Sequence, residues 1–307
     1  MSPATSAASS SGPAFRVPPG TIDTHIHIYG PMDRYPVAPT NRMPVPDAPL
    51  AAYEEVMQHL GIAACVVVQP SAYGFDNRCT LDAMAALGDR ARAVVVIGPE
   101  AEDAELERLT RAGARGIRFH MLPGGVLPWE ALEEMAARVH AHGWHVQLQL
   151  DGREIELRIE VLRRLPCDLV IDHTGKFLDP VPPEHAAFRA LLSLVETGRV
   201  WVKLSAPYET SREGPPYYMD VGRLARGLIR AAPERMVWAT NWPHPSAQPD
   251  PPDDAMLLDT LRHWAGDDAT ANRILAENPA RLYGFRSTEA GGDAVKAGQG
   301  RGAGAWR

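Results

Sequence analysis

The sequence predicts one (β/α)8 barrel of the TIM type, an α/β fold, and three observations carry that prediction. Short apolar runs rich in β-branched residues occur eight times between residues 21 and 239, as expected for buried parallel strands. Amphipathic segments separate most of these runs, as crossover helices do in a parallel sheet. The chain has 307 residues, a length that such barrels often reach as a single domain.

The elements follow from these patterns in chain order. The predicted strands are 21–26, 64–69, 93–97, 116–121, 145–150, 168–172, 200–205 and 236–239. The predicted helices are 51–60, 80–87, 104–112, 128–142, 154–165, 184–197, 220–232, 254–265 and 268–277. A doubly wound sheet is the alternative architecture. Because no glycine-rich phosphate-binding sequence follows any predicted strand, the barrel is favoured.

The composition divides the chain into three parts. Residues 1–19 are rich in Ser, Ala and Pro and predict a disordered leader, residues 20–286 form the predicted barrel, and residues 287–307 predict a flexible tail rich in Gly and Ala. The leader has neither the basic nor the apolar region of a signal peptide, so a cytoplasmic location is expected. The cysteines Cys65, Cys79 and Cys167 lie outside any CxxC pattern, which predicts reduced packing residues.

Charge and hydrophobicity exclude two classes of partner. The hydrophobic content of 45% and charged content of 22% are typical of a globular protein. The net charge is −7 and no basic cluster occurs, which argues against binding of nucleic acid. No apolar run approaches the roughly 20 residues needed to span a bilayer, so no membrane partner is expected. A small-molecule ligand remains the expected partner.

Functional residues of such barrels lie at the carboxyl ends of the strands and in the loops that follow. Many of these polar residues could serve only to satisfy loop backbone groups, and that interpretation is favoured for Asp151, Asp172 and His244 taken singly. The positions are His25, His27, Gln69, Ser71, Arg118, His120, Gln149, Asp151, Asp172, His173, Lys203, Ser205, Asn241 and His244.

The first predicted strand carries two histidines whose spacing suits a functional site. His25 and His27 are two residues apart, so their side chains point to the same face of the strand. Two imidazoles on an inner barrel face suit a metal ion or an anionic oxygen. An HxH pattern alone is a weak signal, but His173 after the sixth predicted strand strengthens it.

Here the sequence resembles the amidohydrolase superfamily over roughly residues 17 to 285. Within it, the chain resembles the metal-independent branch that includes the 2-pyrone-4,6-dicarboxylate hydrolases. The shared segments are 23–27 (DTHIH), 68–71 (VQPS), 116–119 (GIRF), 170–173 (VIDH) and 242–245 (WPHP).

The resemblance implies an amidohydrolase-type barrel but departs from its metal-binding pattern. Metal-binding members use the HxH pair, a Lys or Glu on strand four, His on strands five and six, and Asp on strand eight. Strand four here offers Arg118 instead, strand five has no His at its carboxyl end, and strand eight carries Asn241. An amide is a poor ligand and a guanidinium repels a cation, so no cofactor is expected. A zinc site of His25, His27 and His173 is the alternative.

A closer resemblance is to the D-galactarolactone isomerases of the same branch. It rests on segments 122–125 (LPGG), 151–152 (DG), 172–177 (DHTGKF), 208–211 (YETS) and 232–244 (APERMVWATNWPH). That subfamily also has an Asn where this chain has Asn241, whereas the pyrone hydrolases have an Asp general base there and additional arginines. The resemblance therefore implies isomerisation of a galactaro-type 1,5-lactone to the 1,4-lactone.

The residues fit that chemistry in distinct roles. Arg118 can hold the free carboxylate of the lactone with two hydrogen bonds. His25 and His27 are predicted to donate hydrogen bonds to the carbonyl oxygen as it becomes an oxyanion. His173 is the candidate for moving a proton between hydroxyl groups. Asn241 cannot act as a base, but it can orient a hydroxyl group or donate to the oxyanion.

Four further residues complete the predicted site, and two other functions stay open. Ser71, Gln149 and Tyr208 are predicted to bind substrate hydroxyl groups, and Trp242 to form a wall of the pocket. The first alternative function is a lactone hydrolase, acting on an aldarono-lactone or a pyrone dicarboxylate, with water activated by His173. The second is a barrel that binds a sugar acid without turnover. The oligomeric state and the preferred stereochemistry are left open.

Overall fold

The computed structural model describes residues 12–42 and 44–286, and its eight strands form a single parallel sheet in chain order. All eight predicted strands are present, and no strand end differs from its prediction by more than two residues. The strands are β1 Ile22–Ile26, β2 Ala64–Val68, β3 Ala91–Val95, β4 Ala114–His120, β5 His145–Gln149, β6 Leu169–Ile171, β7 Val200–Leu204 and β8 Met236–Trp238.

The sheet closes on itself between its first and last strands. Asn241 N donates to His25 O at 3.0 Å, and His27 N donates to Trp242 O at 2.8 Å. Asp23 strengthens the junction, because its buried carboxylate accepts hydrogen bonds from the backbone N–H and the hydroxyl group of Thr240. The barrel prediction is thereby confirmed, and a doubly wound sheet is excluded.

Helices surround the barrel between successive strands. Left-handed glycines end several of them, as Gly61 does after α1 and Gly113 after α3. The predicted helix 128–142 is shorter than expected, because residues before Leu132 form a separate 3-10 turn. The helices are α1 Leu50–Leu60, α2 Arg78–Leu87, α3 Asp103–Ala112, α4 Leu132–His140, α5 Ile155–Arg164, α6 Ala186–Val195, α7 Met219–Ala231, α8 Asp254–Ala265, α9 Asp268–Asn272 and α10 Asn278–Tyr283.

The last helix, α10, covers the amino-terminal end of the barrel. Asn278 Nδ2 donates to Met236 O at the start of β8, and the ring of Tyr283 packs edge-on against His145 at the start of β5. A π-helical turn, Arg273–Glu277, leads into α10, so the predicted helix 268–277 is divided in two. His145 therefore lies at the end of the barrel opposite the carboxyl ends of the strands.

The two faces of the sheet have different chemistry. Outward-facing side chains such as Val67, Phe119 and Leu148 belong to one large apolar cluster with the helices. The barrel interior holds polar side chains, among them Gln147 and Lys203, and both are fully buried. Since buried polar groups are costly unless they are paired, this interior is where functional residues are expected.

The predicted leader and tail lie largely outside the described residues. Nothing is described of residues 1–11 or 287–307. In residues 12–19 the side chains of Phe15 and Val17 pack against the core, and Ala14 N donates to Asp259. Ordered contacts thus begin before the predicted boundary at residue 20. Cys65, Cys79 and Cys167 are buried and free, and no described helix is long and apolar enough to cross a membrane.

Candidate active site

A cavity of about 250 Å³ opens at the carboxyl ends of the strands. Six predicted site residues line it: His27, Ser71, Arg118, Gln149, His173 and Asn241. Three do not line it, and they are His25, Tyr208 and Trp242. His120, a strand-end candidate without an assigned role, also lines the cavity, and residues that the sequence analysis had not selected complete the lining; they include Tyr29, Lys176, Glu209 and Ser246. The volume suits a small ring compound.

Arg118 is held rigidly at the base of this cavity. Its Nη1 donates to Gln69 O at 2.8 Å, and its Nη2 donates to Gln149 Oε1 at 2.9 Å. Both acceptors are neutral, so they orient the guanidinium without cancelling its charge. The Nε atom is buried and has no hydrogen-bond partner among the described residues. Arg118 therefore keeps donors for an anionic ligand, and Gln149 positions Arg118 through its amide oxygen.

The two histidines of β1 contact each other, and their protonation follows from their partners. His27 Nδ1 lies 2.8 Å from Val68 O, which can only accept, so the proton of a neutral His27 is on Nδ1. Its Nε2 then accepts from His25 Nε2, which lies 3.2 Å away. Burial, then the charge of Arg118, lowers the pKa of His27 to about 3, so the neutral form holds at pH 7. Neither N–H is directed to a ligand.

Lys203 completes this hydrogen-bonded chain from below. Its Nζ is fully buried and donates to Thr24 O at 2.8 Å and to Gln147 Oε1 at 2.7 Å. It also lies 3.2 Å from His25 Nδ1, the nitrogen left to accept. Three donors therefore meet three acceptors, as an ammonium requires. The sequence analysis placed Lys203 at a strand end without a role, although a Lys within an apolar strand was itself a signal.

Asp172 provides the opposite charge beside Lys203. Its Oδ1 lies 3.6 Å from Lys203 Nζ, and its Oδ2 accepts from Gln147 Nε2 at 3.1 Å. Burial alone would raise the pKa of Asp172, but the charges of Lys203 and its neighbours hold it below the usual value. Asp172 is therefore a carboxylate, and the two opposite charges compensate each other beneath the cavity.

His173 follows β6 in an uncommon backbone conformation. Its φ is 54°, in the left-handed region that non-glycine residues rarely adopt. The ring is fixed by Ser205, whose Oγ lies 2.9 Å from His173 Nδ1. Burial lowers the pKa of His173 well below its ordinary value, so the imidazole is neutral at pH 7. His173 thus lines the cavity as a neutral, oriented imidazole.

The left-handed backbone conformation recurs on one side of the cavity rim. Every non-glycine residue with positive φ among those described lies in the loops that follow β6, β7 and β8, and these residues are His173, Thr174, Lys176, Ala206, Tyr218, Asn241 and His244. Such conformations cost about 1 kcal/mol or more each and persist only where the surroundings enforce them. They gather here around the candidate site.

Asn241 ends a chain of polar contacts that starts in helix α8. His244 Nε2 lies 3.1 Å from Asp254 Oδ1 without hydrogen-bond geometry, but the nearby carboxylate favours the imidazole proton on Nε2. His244 Nδ1 can then accept from Tyr208 OH at 3.0 Å, and the Tyr208 oxygen accepts from Asn241 Nδ2 at 2.9 Å. Tyr208, predicted to bind substrate, does not line this cavity, and its hydroxyl oxygen orients the Asn241 amide. The chain requires a donor at residue 241, which Asn supplies.

Trp242, predicted to form a wall of the pocket, does not line the cavity. Its ring packs against Tyr53 of α1, with ring centroids 5.3 Å apart. Asn241 is left-handed, so strand alternation does not apply here: its amide lines the cavity, whereas the Trp242 ring lies against the helical layer. Pro245 and Ser246 contribute to the cavity at this position instead.

The donor atoms of the site contain one possible set of metal ligands. The described residues bring His25, Asp172 and His173 together, with one possible ligand atom from each within 4.8 Å of the others. However, Lys203 Nζ lies next to both His25 Nδ1 and Asp172 Oδ1. An ammonium in contact with two of three possible ligands opposes a divalent cation, and Asn241 adds no carboxylate. The donor set does not fit a catalytic metal.

Comparison with known proteins places the chain in a recognised family. Residues 22–285 match the family described as Amidohydrolase. D-galactarolactone isomerase of Agrobacterium fabrum is 37% identical, with 88% of this chain and 92% of that protein covered. The 2-pyrone-4,6-dicarboxylate hydrolase of Comamonas testosteroni is 35% identical, covering 90% and 94%. An apo crystal structure from Agrobacterium tumefaciens has a TM-score of 0.84 at 36% identity, covering 90% of this chain and 99% of that one.

Proposed function

This chain belongs to the amidohydrolase family, and we propose that it isomerises sugar-acid lactones, converting a galactaro-type 1,5-lactone to the 1,4-lactone without a metal ion. The observation that carries the proposal is Asn241 in the cavity lining, with its amide nitrogen bonded to Tyr208. An amide cannot accept a proton from water at neutral pH, so residue 241 cannot activate water for hydrolysis.

The proposed reaction is an acyl transfer within one molecule. The hydroxyl oxygen on carbon 4 attacks the lactone carbonyl carbon while its proton passes to Nε2 of His173. The bond from that carbon to the oxygen of carbon 5 then breaks, and this oxygen receives the proton. The reaction neither consumes nor releases water. The site holds the carbon chain of the bound lactone in a bent conformation, with the hydroxyl oxygen close to the carbonyl carbon. This proximity supplies much of the rate of acyl transfer, because both reacting groups belong to the same bound ligand.

The charges of the site support each step. Arg118 binds the free carboxylate, whose negative charge raises the low proton affinity of the nearby His173. Because the N–H groups of His25 and His27 are directed to other partners, we assign these histidines to the hydrogen-bonded chain with Lys203 rather than to direct donation. The amide N–H of Asn241 that does not bind Tyr208 is assigned to the developing oxyanion in this buried site. Ser71 lines the cavity, and we assign its hydroxyl group to hydrogen bonding with the hydroxyl groups of the substrate.

The test is to follow galactaro-1,5-lactone by proton NMR with chelator-treated protein in ¹⁸O-labelled water, and to analyse the products by mass spectrometry. We expect the 1,4-lactone to accumulate without label above the blank. If labelled open-chain acid formed faster than in the blank without protein, the protein would instead be a hydrolase, which is the activity that the related pyrone hydrolase is named for. Activity that is lost on chelation and restored by zinc would contradict the metal-independent mechanism.

Asn241→Asp is expected to change the balance between the two reactions. A carboxylate at residue 241 can take a proton from water but cannot donate to Tyr208, so the Tyr208 hydroxyl group must donate to residue 241 and no longer to His244 Nδ1. We expect hydrolysis to rise about tenfold and isomerisation to fall by at least as much. The ratio of labelled acid to unlabelled lactone measures the change. Asn241→Ala is the control, in which both rates fall, and an unchanged hydrolytic rate in the Asp variant would refute the role of Asn241.

A further inference from the structure

Three side chains from three loops form an ion-pair cluster in the cavity wall, defined here as the rim trio: Lys176, Glu209 and Ser246. Lys176 Nζ donates to Glu209 Oε2, and Ser246 Oγ donates to Glu209 Oε1 at 2.5 Å. The side chains of Lys176 and Glu209 are only 9% and 8% exposed. The members follow β6, β7 and β8, and all three line the cavity. A nearly buried ion pair is thus part of the candidate site.

The rim trio determines the charge that a ligand meets. Among the described residues that line the cavity, the side chains with a formal charge are Arg118, Lys176 and Glu209. Glu209 cancels Lys176, and the charges of Lys203 and Asp172 cancel each other beneath. Arg118 alone remains uncompensated, since Gln69 O and Gln149 Oε1 are neutral acceptors. The cavity therefore carries a net charge of one positive unit.

We propose that Glu209 is a specificity-determining residue, which holds Lys176 in the rim trio and thereby restricts the cavity to lactones with one free carboxylate. A second carboxylate near Lys176 would have to lie beside the Glu209 carboxylate, and two like charges in a nearly buried site oppose binding strongly. The inference rests on the proposed function only in taking the ligand to be an anionic lactone. It makes Lys176 a latent second carboxylate site that Glu209 blocks.

Glu209→Gln isolates this effect, because it removes one negative charge and keeps the shape. The amide oxygen can still accept from Lys176, and the amide nitrogen can donate to Ser246. We expect Lys176 to become available to a second anion, so the net charge of the lining rises to two positive units. Removing both charges, in Lys176→Gln/Glu209→Gln, returns the lining to one positive unit.

The experiment is calorimetric titration with two pairs of unreactive acids that differ by one carboxylate. The first pair is galactonate and galactarate; the second is 6-hydroxyhexanoate and adipate, which lack the sugar hydroxyls and can adjust their length. We expect the wild type to bind each monoanion about tenfold more tightly than its dianion, and Glu209→Gln to reverse that order. The double variant should recover the preference of the wild type.

Controls separate this inference from folding and from catalysis. Glu105→Gln removes the same charge from an exposed pair with Arg108 on α3, and it should leave the ratio of affinities unchanged. Lys176→Gln leaves Glu209 without its partner and should weaken monoanion binding about tenfold. A ratio in Glu209→Gln within twofold of the wild type would overturn the proposal, as would failure of the wild type to bind any of the four acids. Reversed preference without lactone turnover would sustain it and reject the proposed function.

Discussion

Arg118→Gln is expected to lower kcat/KM for galactaro-1,5-lactone about a thousandfold, equivalent to about 4 kcal/mol. The guanidinium is the uncompensated cation of the cavity, and its Nε is buried without a partner among the described residues. Gln at this position removes the charge and the paired donors that a carboxylate requires. Most of the loss should appear as a higher KM, because the carboxylate is bound equally in the ground state and the transition state.

Arg115→Gln is the matched control for this variant. Arg115 lies on the same strand three residues earlier, so it points away from the cavity, and it donates to Thr110 O and Ala114 O. We expect its kcat/KM to stay within about twofold of the wild type. Added guanidinium ion should restore part of the activity of an Arg118→Ala variant. If Arg118→Gln kept more than a tenth of the wild-type activity, another group would have to bind the carboxylate.

Lys203→Met is expected to have the second large effect, lowering both stability and activity. The substitution leaves Asp172 buried without its cation, and breaking such a pair costs about 3–5 kcal/mol. It also removes the donor that fixes His25 and, through it, His27. We expect kcat/KM to fall about a hundredfold, since the imidazoles beside the bound lactone lose the group that positions them.

A double variant, Lys203→Met/Asp172→Asn, separates stability from activity. Removing both charges should recover much of the free energy of unfolding, measured by denaturant titration, because no unpaired charge remains buried. Activity should not recover with it. Recovery of both quantities together would show that Lys203 acts only in folding.

The pH dependence of the wild type tests Lys203 without any substitution. Burial lowers the pKa of Lys203 to about 8, against an ordinary value of 10.5. The ammonium is the form that satisfies its three acceptors, so kcat/KM should fall as the pH rises through about 8, by up to tenfold per unit. The blank rate of lactone opening is subtracted at each pH. A profile that stays level to pH 10 would exclude a titrating Lys203 from the reaction.

Much of the fold and part of the site follow from local sequence patterns. The eight strands are predictable because buried parallel strands are continuous apolar runs, as residues 64–68 (ACVVV) illustrate. Arg118 and Asn241 were placed at the cavity because strand ends and side-chain alternation are local properties. Trp242 was misplaced because the direction of its ring depends on the left-handed conformation of Asn241, which the sequence does not reveal.

Other features depend on contacts that no local pattern encodes. The rim trio joins loops that are far apart in the chain. Its geometry depends on the left-handed backbone of Lys176, and a lysine in a sequence does not predict that conformation. The protonation of His25 and His27 depends on Val68 O and Lys203, which lie on two other strands. These relations require the closed barrel before they can be recognised.

The uneven distribution of left-handed residues around the rim has a consequence for how this enzyme can diversify. Positions after β6, β7 and β8, such as His173 and Asn241, combine an unfavourable backbone conformation with a required side chain, so few substitutions satisfy both. Among the described residues, the loops after β1 to β5 reach the cavity with ordinary backbone at their non-glycine positions. New substrate preferences can therefore arise by exchange of residues on that half of the rim, while the half that carries the proposed proton transfer changes little.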